Sequence, residues 1–233
     1  LRLYLTSLGL KVPHPDHVQP RDFAKMIEQV ADRPDATAIS MAMLRSMSHA
    51  EYTPGNIGHF GLALDAYAHF TSPIRRYPDL LVHRAIRHIV AGNKPGSYAY
   101  KPDRMEQLGA ITSAHERRAE DATREVEAWL KCQYMEDRVG QEYPGVITAV
   151  TNFGAFVQIP ELQIDGLVHV TSLGNDYYQF DPSSQSLIGE RTGKRFQLGD
   201  PLDIVVARVD LDTRRIDFQL VDDGRGRQGK RNS

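Results

Sequence analysis

The sequence predicts an α+β protein with a mostly helical part over residues 1–139, a small five-stranded β-barrel over 140–222 and a basic, flexible tail over 223–233. Three observations predict it. Apolar residues recur at helical spacing before position 140, and beyond Gly145 the pattern changes to short β-rich runs cut by Gly, Pro, Asn and Asp. The segment Gly224 to Ser233 then carries Arg225, Arg227, Lys230 and Arg231 with no acid.

After Pro20, Phe23, Met26, Ile27, Val30 and Ala31 share one face, and after Pro34 so do Ile39, Ala42, Met43, Leu44 and Met47. Methionines at this spacing are core filler rather than cofactor ligands. Met105 to Asp137 reads as one long helix or a broken pair, with Ala119, Ala122, Val126, Trp129 and Leu130 on one face. Glu120 with Arg124 and Glu127 with Lys131 form i,i+4 pairs on the other.

The barrel strands are predicted over Tyr143 to Val150, Ala155 to Ile159, Asp165 to His169, Pro201 to Val209 and Arg215 to Leu220. Closure is how so short a sheet avoids open edges, which makes an OB fold the natural candidate. The stretch between His169 and Leu198 is too long for a plain turn, and a short helix is expected over Ser183 to Ile188.

Composition narrows the class of protein. With 41% hydrophobic and 25% charged residues the chain is globular, which excludes a disordered one. No apolar stretch approaches the length of a membrane span, and Leu1 to Leu10 lacks the cationic start and cleavage site of a leader. The lone Cys132 fits a reducing compartment, so a cytoplasmic protein is expected. Net charge is −2, and the four cations of the tail leave −6 on the rest. Nucleic-acid binding would therefore rest on local basic or aromatic sites.

The segment from His59 to Leu80 is the most informative. Ser72 and Pro73 read as the N-cap and first position of a helix that continues through Leu80, Leu81, Ala85, Ile86 and Ile89. Arg75 and Arg76 then fall in the first turn, where the helix dipole disfavours a cation by a few tenths to about 1 kcal/mol. Free backbone N–H groups and a guanidinium fork on one turn suit a phosphate. Tyr67, His69, Phe70 and Tyr77 add flat faces on which an unstacked base can lie. The competing reading pairs Arg75 or Arg76 with Asp79 and packs the rings inward. Pro78 makes the helix start irregular. His59, His83, His88 and His115 lack metal-ligand spacing and read as structural or surface histidines.

In the barrel, Phe153, Phe156 and His169 are placed to form one stacking surface, a mode of binding that tolerates any base. The alternative is that one phenylalanine fills the core, since side chains alternate along a strand. Tyr177 and Tyr178 are weaker candidates.

His59-Phe60-Gly61-Leu62 and Thr71-Ser72-Pro73-Ile74-Arg75-Arg76-Tyr77-Pro78-Asp79-Leu80 resemble the hallmark stretch of the RNB-domain exoribonucleases, the RNase II and RNase R family. Glu116-Arg117-Arg118-Ala119 and Val126 to Cys132 extend the resemblance, which is nearer to bacterial RNase R. Asn152 to Val157 and Asp165 to Leu173 resemble the S1-type RNA-binding OB fold, whose polar positions Asp210 and Arg215 match. The resemblance implies hydrolysis of single-stranded RNA from its 3′ end to nucleoside 5′-monophosphates with a divalent ion, Mg²⁺. It implies that Arg75 is the catalytic contact to the scissile phosphate and that Arg76 and Tyr77 orient the strand end. Tyr67, His69, Phe70, Ser72, Glu116 and Arg117 become further RNA contacts, although an exposed ion pair equally accounts for Glu116 and Arg117.

The aspartate-rich motif that supplies the family's metal ligands has no counterpart here. Asp210 with Asp212 and Asp222 with Asp223 are better read as turn residues. The Mg²⁺ ligands are therefore expected on a missing N-terminal part of the same enzyme, consistent with a Leu1 that opens inside an apolar run without a cap. The expectation is the C-terminal part of an RNB domain joined to an S1 domain, inactive alone. Its partners would be single-stranded RNA and that N-terminal part, with neither a membrane nor DNA as main substrate. The alternative is a noncatalytic S1-type RNA-binding protein with a helical adaptor.

Overall fold

The computed structural model describes residues 1–12, 14, 18–33 and 36–221, so the basic tail and Asp222 and Asp223 lie outside the described residues. The helices are α1 (Arg2–Ser7), α2 (Pro20–Val30), α3 (Ala36–Arg45), α4 (Tyr77–Val90) and α5 (Pro102–Glu136). The strands are β1 (Glu142–Thr151), β2 (Gly154–Ile159), β3 (Ile164–His169), β4 (Tyr178–Asp181), β5 (Ser186–Gly189), β6 (Arg195–Gln197), β7 (Pro201–Asp210) and β8 (Arg215–Leu220). Two compact units result. A barrel unit gathers Leu1–Val12, Ile27–Ser46 and the chain from Glu125 onward, and a helical unit gathers Met47–Arg124 with the start of α2. Among the described residues no helix is long and apolar enough to cross a membrane.

In the barrel unit, β1, β2, β3, β8 and β7 close in that order, with β3 and β8 parallel and the other pairs antiparallel. All five predicted barrel strands are present, within a residue or so of the expected bounds. Period-two alternation drives Ala155, Val157 and Ile159 inward from β2 and Ile216 and Phe218 inward from β8. Gly166 lets the Phe218 ring lie against β3, because a Cβ there would stand 2.4 Å from that ring. Cys132 and Met135 at the end of α5 complete the same core, and burial pushes the Cys132 thiol pKa up.

One expectation is overturned and one open choice is decided. Ser183 to Ile188 is no helix: β4, β5 and β6 form a three-stranded antiparallel sheet. Burial of Tyr178, Leu187 and Phe196 fixes those strands, and a Cβ on Gly189 would come within 2.5 Å of the Asp176 carboxylate. The second is α5, which is one unbroken helix and not a broken pair, with its apolar face open: Val126, Trp129 and Leu130 are 58%, 44% and 51% exposed. Within this unit the barrel core takes in the helix at Cys132 and Met135 instead. Glu120 does pair with Arg124 at 3.7 Å, whereas Glu127 and Lys131 form no ion pair among the described residues. On α3, Ile39 and Met43 are buried, but the helix stops at Arg45 and leaves Met47 exposed.

In the helical unit, α5 runs close to the backbone of Tyr52. A Cβ at Gly109 would lie 2.4 Å from the Tyr52 carbonyl oxygen, and Ser113 Oγ accepts the Tyr52 N–H at 2.9 Å.

Candidate nucleic-acid interface

The arginine-bearing turn differs from its prediction. Helix α4 begins at Tyr77 rather than after Ser72, with Arg76 as its N-cap and Pro78 in its first turn. A helix starting at Pro73 would have carried Pro78 past its first turn, where proline lacks the N–H the ladder needs and clashes with the preceding turn. At the second helical position that N–H is unpaired anyway. Ser72 to Arg76 instead form a turn in which the Arg75 and Arg76 N–H groups donate to the Ser72 carbonyl at 3.3 and 2.9 Å. The two arginines thus precede the helix proper.

Asp79 organises that turn. Its side chain is fully buried, and one carboxylate oxygen accepts the Ser72 N–H and the Arg76 Nη2 donor, each at 2.8 Å. Burial, the largest single influence, pushes the Asp79 pKa up. The Ser72 N–H and the Arg76 guanidinium together outweigh it and hold the carboxyl below its ordinary value. The other oxygen faces His69 Nδ1 at 4.0 Å and, like Arg76 Nε, is buried without a hydrogen-bond partner among the described residues. The competing reading of an Asp79 ion pair is therefore realised by Arg76. Arg75 is exposed, and its side chain makes no hydrogen bond or ion pair among the described residues.

The rings around the turn brace one another. His69 meets Tyr52 and Tyr67 edge-on, with centroids 5.3 and 5.6 Å apart, and Tyr67 meets His59 at 4.8 Å. The Tyr52 hydroxyl lies 3.3 Å from His69 Nδ1, and burial together with the Glu116 carboxylate pushes its pKa up. Phe70 stacks flat on His83 at 4.2 Å, and His83 Nε2 donates to the Phe70 carbonyl at 2.9 Å. Tyr77 sits beside Arg84, whose guanidinium also donates to the Tyr100 hydroxyl at 2.6 Å. Tyr67, Phe70 and Tyr77 all stay exposed, so the rings are not packed inward. Arg117 reaches Glu51 at 3.5 Å as an exposed ion pair. Sequence reasoning missed Tyr52 and Tyr100, which meet the motif from loops that carry no periodic signal, and Arg84, which lies on α4 itself; His83, read as a structural or surface histidine, is the ring beneath Phe70.

The second candidate surface lies on the barrel. Phe153 occupies the turn between β1 and β2 and is 45% exposed, and Phe156 is half-buried on the outer face of β2. Their rings meet edge-on at 6.0 Å. Neither phenylalanine enters the core, because Ala155 and Val157 take the inward positions. His169 ends β3 opposite Gly154, exposed, with Nδ1 2.8 Å from the Thr171 hydroxyl. The Phe153 carbonyl accepts the Val170 N–H at 2.8 Å, which ties the turn to the chain beyond β3. Asp210 faces Arg215 across the β7–β8 hairpin. The Thr213 N–H, at 2.9 Å, is the main influence holding the Asp210 carboxyl below its usual range, and Arg208 lies 2.8 Å away. Arg215 is exposed without a polar side-chain partner among the described residues.

Among the described residues no three His, Cys, Asp or Glu side chains gather to hold a metal ion, so the residues present do not fit a divalent-ion centre. Tyr67, His69, Phe70, Ser72, Arg75, Arg76 and Tyr77 lie within one stretch of the helical unit, and α5 brings Glu116 beside Tyr52 there. Phe153, Phe156, His169, Asp210 and Arg215 belong to the barrel unit.

Comparison with known proteins adds the lineage of both surfaces. The RNB domain family matches residues 4–92, and the S1 RNA binding domain family matches residues 136–220. Ribonuclease R of Escherichia coli (strain K12) is 52% identical over 228 residues, covering 94% of this chain and 28% of that protein. Ribonuclease R of Vibrio cholerae is 49% identical over 238 residues, covering 98% of this chain and 29% of that protein. A solved structure of Mycoplasma genitalium RNase R in complex with ribose methylated single-stranded RNA aligns with a TM-score of 0.83 at 25% identity, over 94% of this chain and 35% of that one. The chain therefore spans less than a third of the length of these two curated relatives.

Proposed function

Because the chain belongs to the RNB-domain ribonuclease R family, we propose that it is the RNA-holding portion of a 3′-to-5′ exoribonuclease that hydrolyses single-stranded RNA to nucleoside 5′-monophosphates. The observation that carries this reading is the Asp79-braced turn, which presents an Arg75 guanidinium unpaired among the described residues, within the same short stretch as the exposed rings of Phe70 and Tyr77. A guanidinium fixed by its backbone and free of internal partners suits a phosphate whose charge grows as it is attacked. The exposed rings suit the last bases of a strand, and the barrel face, with the exposed rings of Phe153 and His169, suits sequence-tolerant holding of RNA further along. The relative solved with single-stranded RNA supports RNA as the ligand.

RNB-family nucleases depend on a divalent ion. We assign Mg²⁺ to that role and its ligands to carboxylates outside these 233 residues, since those described here do not gather around one. This chain's own share is to bind, orient and neutralise.

The test is to incubate 3′-tailed RNA and Mg²⁺ with the 233-residue chain and, separately, with the whole protein that carries it. The chain should bind RNA and leave it intact, and the whole protein should release 5′-monophosphates. Monophosphates from the chain alone would overturn the assignment of the metal site, and a whole protein that binds without cutting would leave only a binding function.

A further inference from the structure

Arg75 and Arg76 are neighbours in sequence, and a clamp of two guanidiniums on one phosphate is the obvious use for such a pair. The structure points elsewhere. Arg75 closes the turn on the Ser72 carbonyl, whereas Arg76 has extended backbone angles, φ −120° and ψ 112°, so the backbone changes conformation between the two side chains. Arg76 turns inward to Asp79 and keeps 26% of its side-chain surface exposed, while Arg75 stays outside.

The inward arginine is not free to leave. Asp79 has no solvent contact, and a buried carboxylate must be paired. If Arg76 swung to a ligand, Asp79 would keep only the Ser72 N–H and a histidine nitrogen 4.0 Å away. The Ser72 N–H bond does a second job, since it ties the start of the turn to helix α4 seven residues on and so fixes the backbone from which Arg75 projects.

We infer that Asp79 is a positioning residue that sorts the two arginines, holding Arg76 as an internal counter-ion so that Arg75 alone of the pair meets an RNA phosphate. The inference rests on the RNA-binding reading given above and revises the role that the family resemblance implies for Arg76. A cation that meets a phosphate leaves a signature in the salt dependence of binding. Each contact to single-stranded RNA steepens the slope of log affinity against log salt by about 0.7, or about fivefold in affinity over a tenfold range of salt. A cation already satisfied inside the protein leaves that slope alone.

The experiment measures the affinity of the 233-residue chain for a single-stranded oligoribonucleotide of fixed length across a tenfold range of salt, with circular dichroism to check folding. Arg75→Gln should flatten the slope by about 0.7, and Arg76→Gln should leave it at the wild-type value. Asp79→Asn releases Arg76, so its slope should steepen by about 0.7, and the Asp79→Asn/Arg76→Gln double variant should return to wild type. The double variant removes both charges together, the milder change for a buried pair, and so keeps the test decisive where either single change unfolds the chain. Equal flattening by the two arginine variants, or a flattened double variant, would overturn the inference. A wild-type chain that binds no RNA would overturn the inference and the proposed function together.

Discussion

The two surfaces that carry aromatic residues are built in opposite ways. In the helical unit His59, Tyr67, His69 and Tyr52 brace one another edge to edge, Phe70 lies flat on His83, and a buried carboxylate anchors the turn beneath them. On the barrel, Phe153 and Phe156 touch only each other among the rings of the described residues, and the side-chain partner of His169 is the Thr171 hydroxyl. A surface that positions a reacting group needs its side chains locked by neighbours. A surface that holds any base needs only exposed faces. The difference separates placing RNA from retaining it, and each prediction below strikes one side of that division.

The largest effect is expected at Arg75. In the whole enzyme Arg75→Ala should lower turnover by about 10² to 10³, the usual consequence of losing a donor to a developing charge. Affinity at fixed salt should fall far less. Arg75→Lys should be nearly as poor, because an ammonium does not reproduce the planar fork. Steady-state kinetics on 3′-tailed RNA decide the matter. A loss below tenfold would make the helical turn one more holding surface and erase the contrast with the barrel.

Asp79→Ala comes next, with an expected loss of about 3 kcal/mol of stability, the lower end for breaking a buried pair because Arg76 remains partly exposed. Urea unfolding read by circular dichroism measures it. The pH dependence carries a sign. The Asp79 pKa is lower folded than unfolded, so its stabilisation is fully present above the ordinary aspartate range and is lost as pH falls through the folded value. Asp79→Asn should therefore be less stable than wild type at pH 7 and less sensitive to acid below about pH 4. The barrel unit offers a control in Asp176, held at about 2 chiefly by the Thr192 hydroxyl, with the Thr192, Arg191 and Tyr177 N–H groups adding to it. Its acid loss should persist in the Asp79→Asn chain. The Thr192 amide should lose hydrogen-exchange protection between about pH 4 and 2 in both proteins.

The barrel was legible in the sequence and the turn was not. Strands of six to ten residues, such as β2 and β7, show alternation clearly, whereas β5 and β6, with four and three residues, are too short for any period to register. At Ser72 the local cap signal was strong but yielded to Pro78, six residues later, and to an acceptor supplied from α4. The apolar face of α5 shows the other limit, since spacing says which residues share a face but not whether anything covers it. For the site, the motif disclosed the arginines and most of the rings. Tyr52 stayed hidden because Ser113, which holds its N–H, lies 61 residues away.

The smallest expected effect belongs to the barrel rings, and it tests whether holding and placing are separate. Phe153 is exposed at the tip of the β1–β2 turn, and His169 is exposed one strand away, opposite Gly154. Each is free to stack on a base. Stacking is worth about 1 to 3 kcal/mol per base, so Phe153→Ala and His169→Ala should each weaken binding of long single strands roughly tenfold or more. Neither change removes a core contact, so the thermal midpoint should move little. Short oligonucleotides that reach only the turn should still be degraded by the whole enzyme at nearly the normal rate. Affinity and turnover are measured for long and short RNAs at one salt concentration, because phosphate contacts make every affinity depend on ionic strength. Equal loss of turnover on both lengths, in variants that remain folded, would show that Phe153 and His169 help to place the reacting end, so that an unbraced aromatic surface can do what the contrast reserves for a braced one.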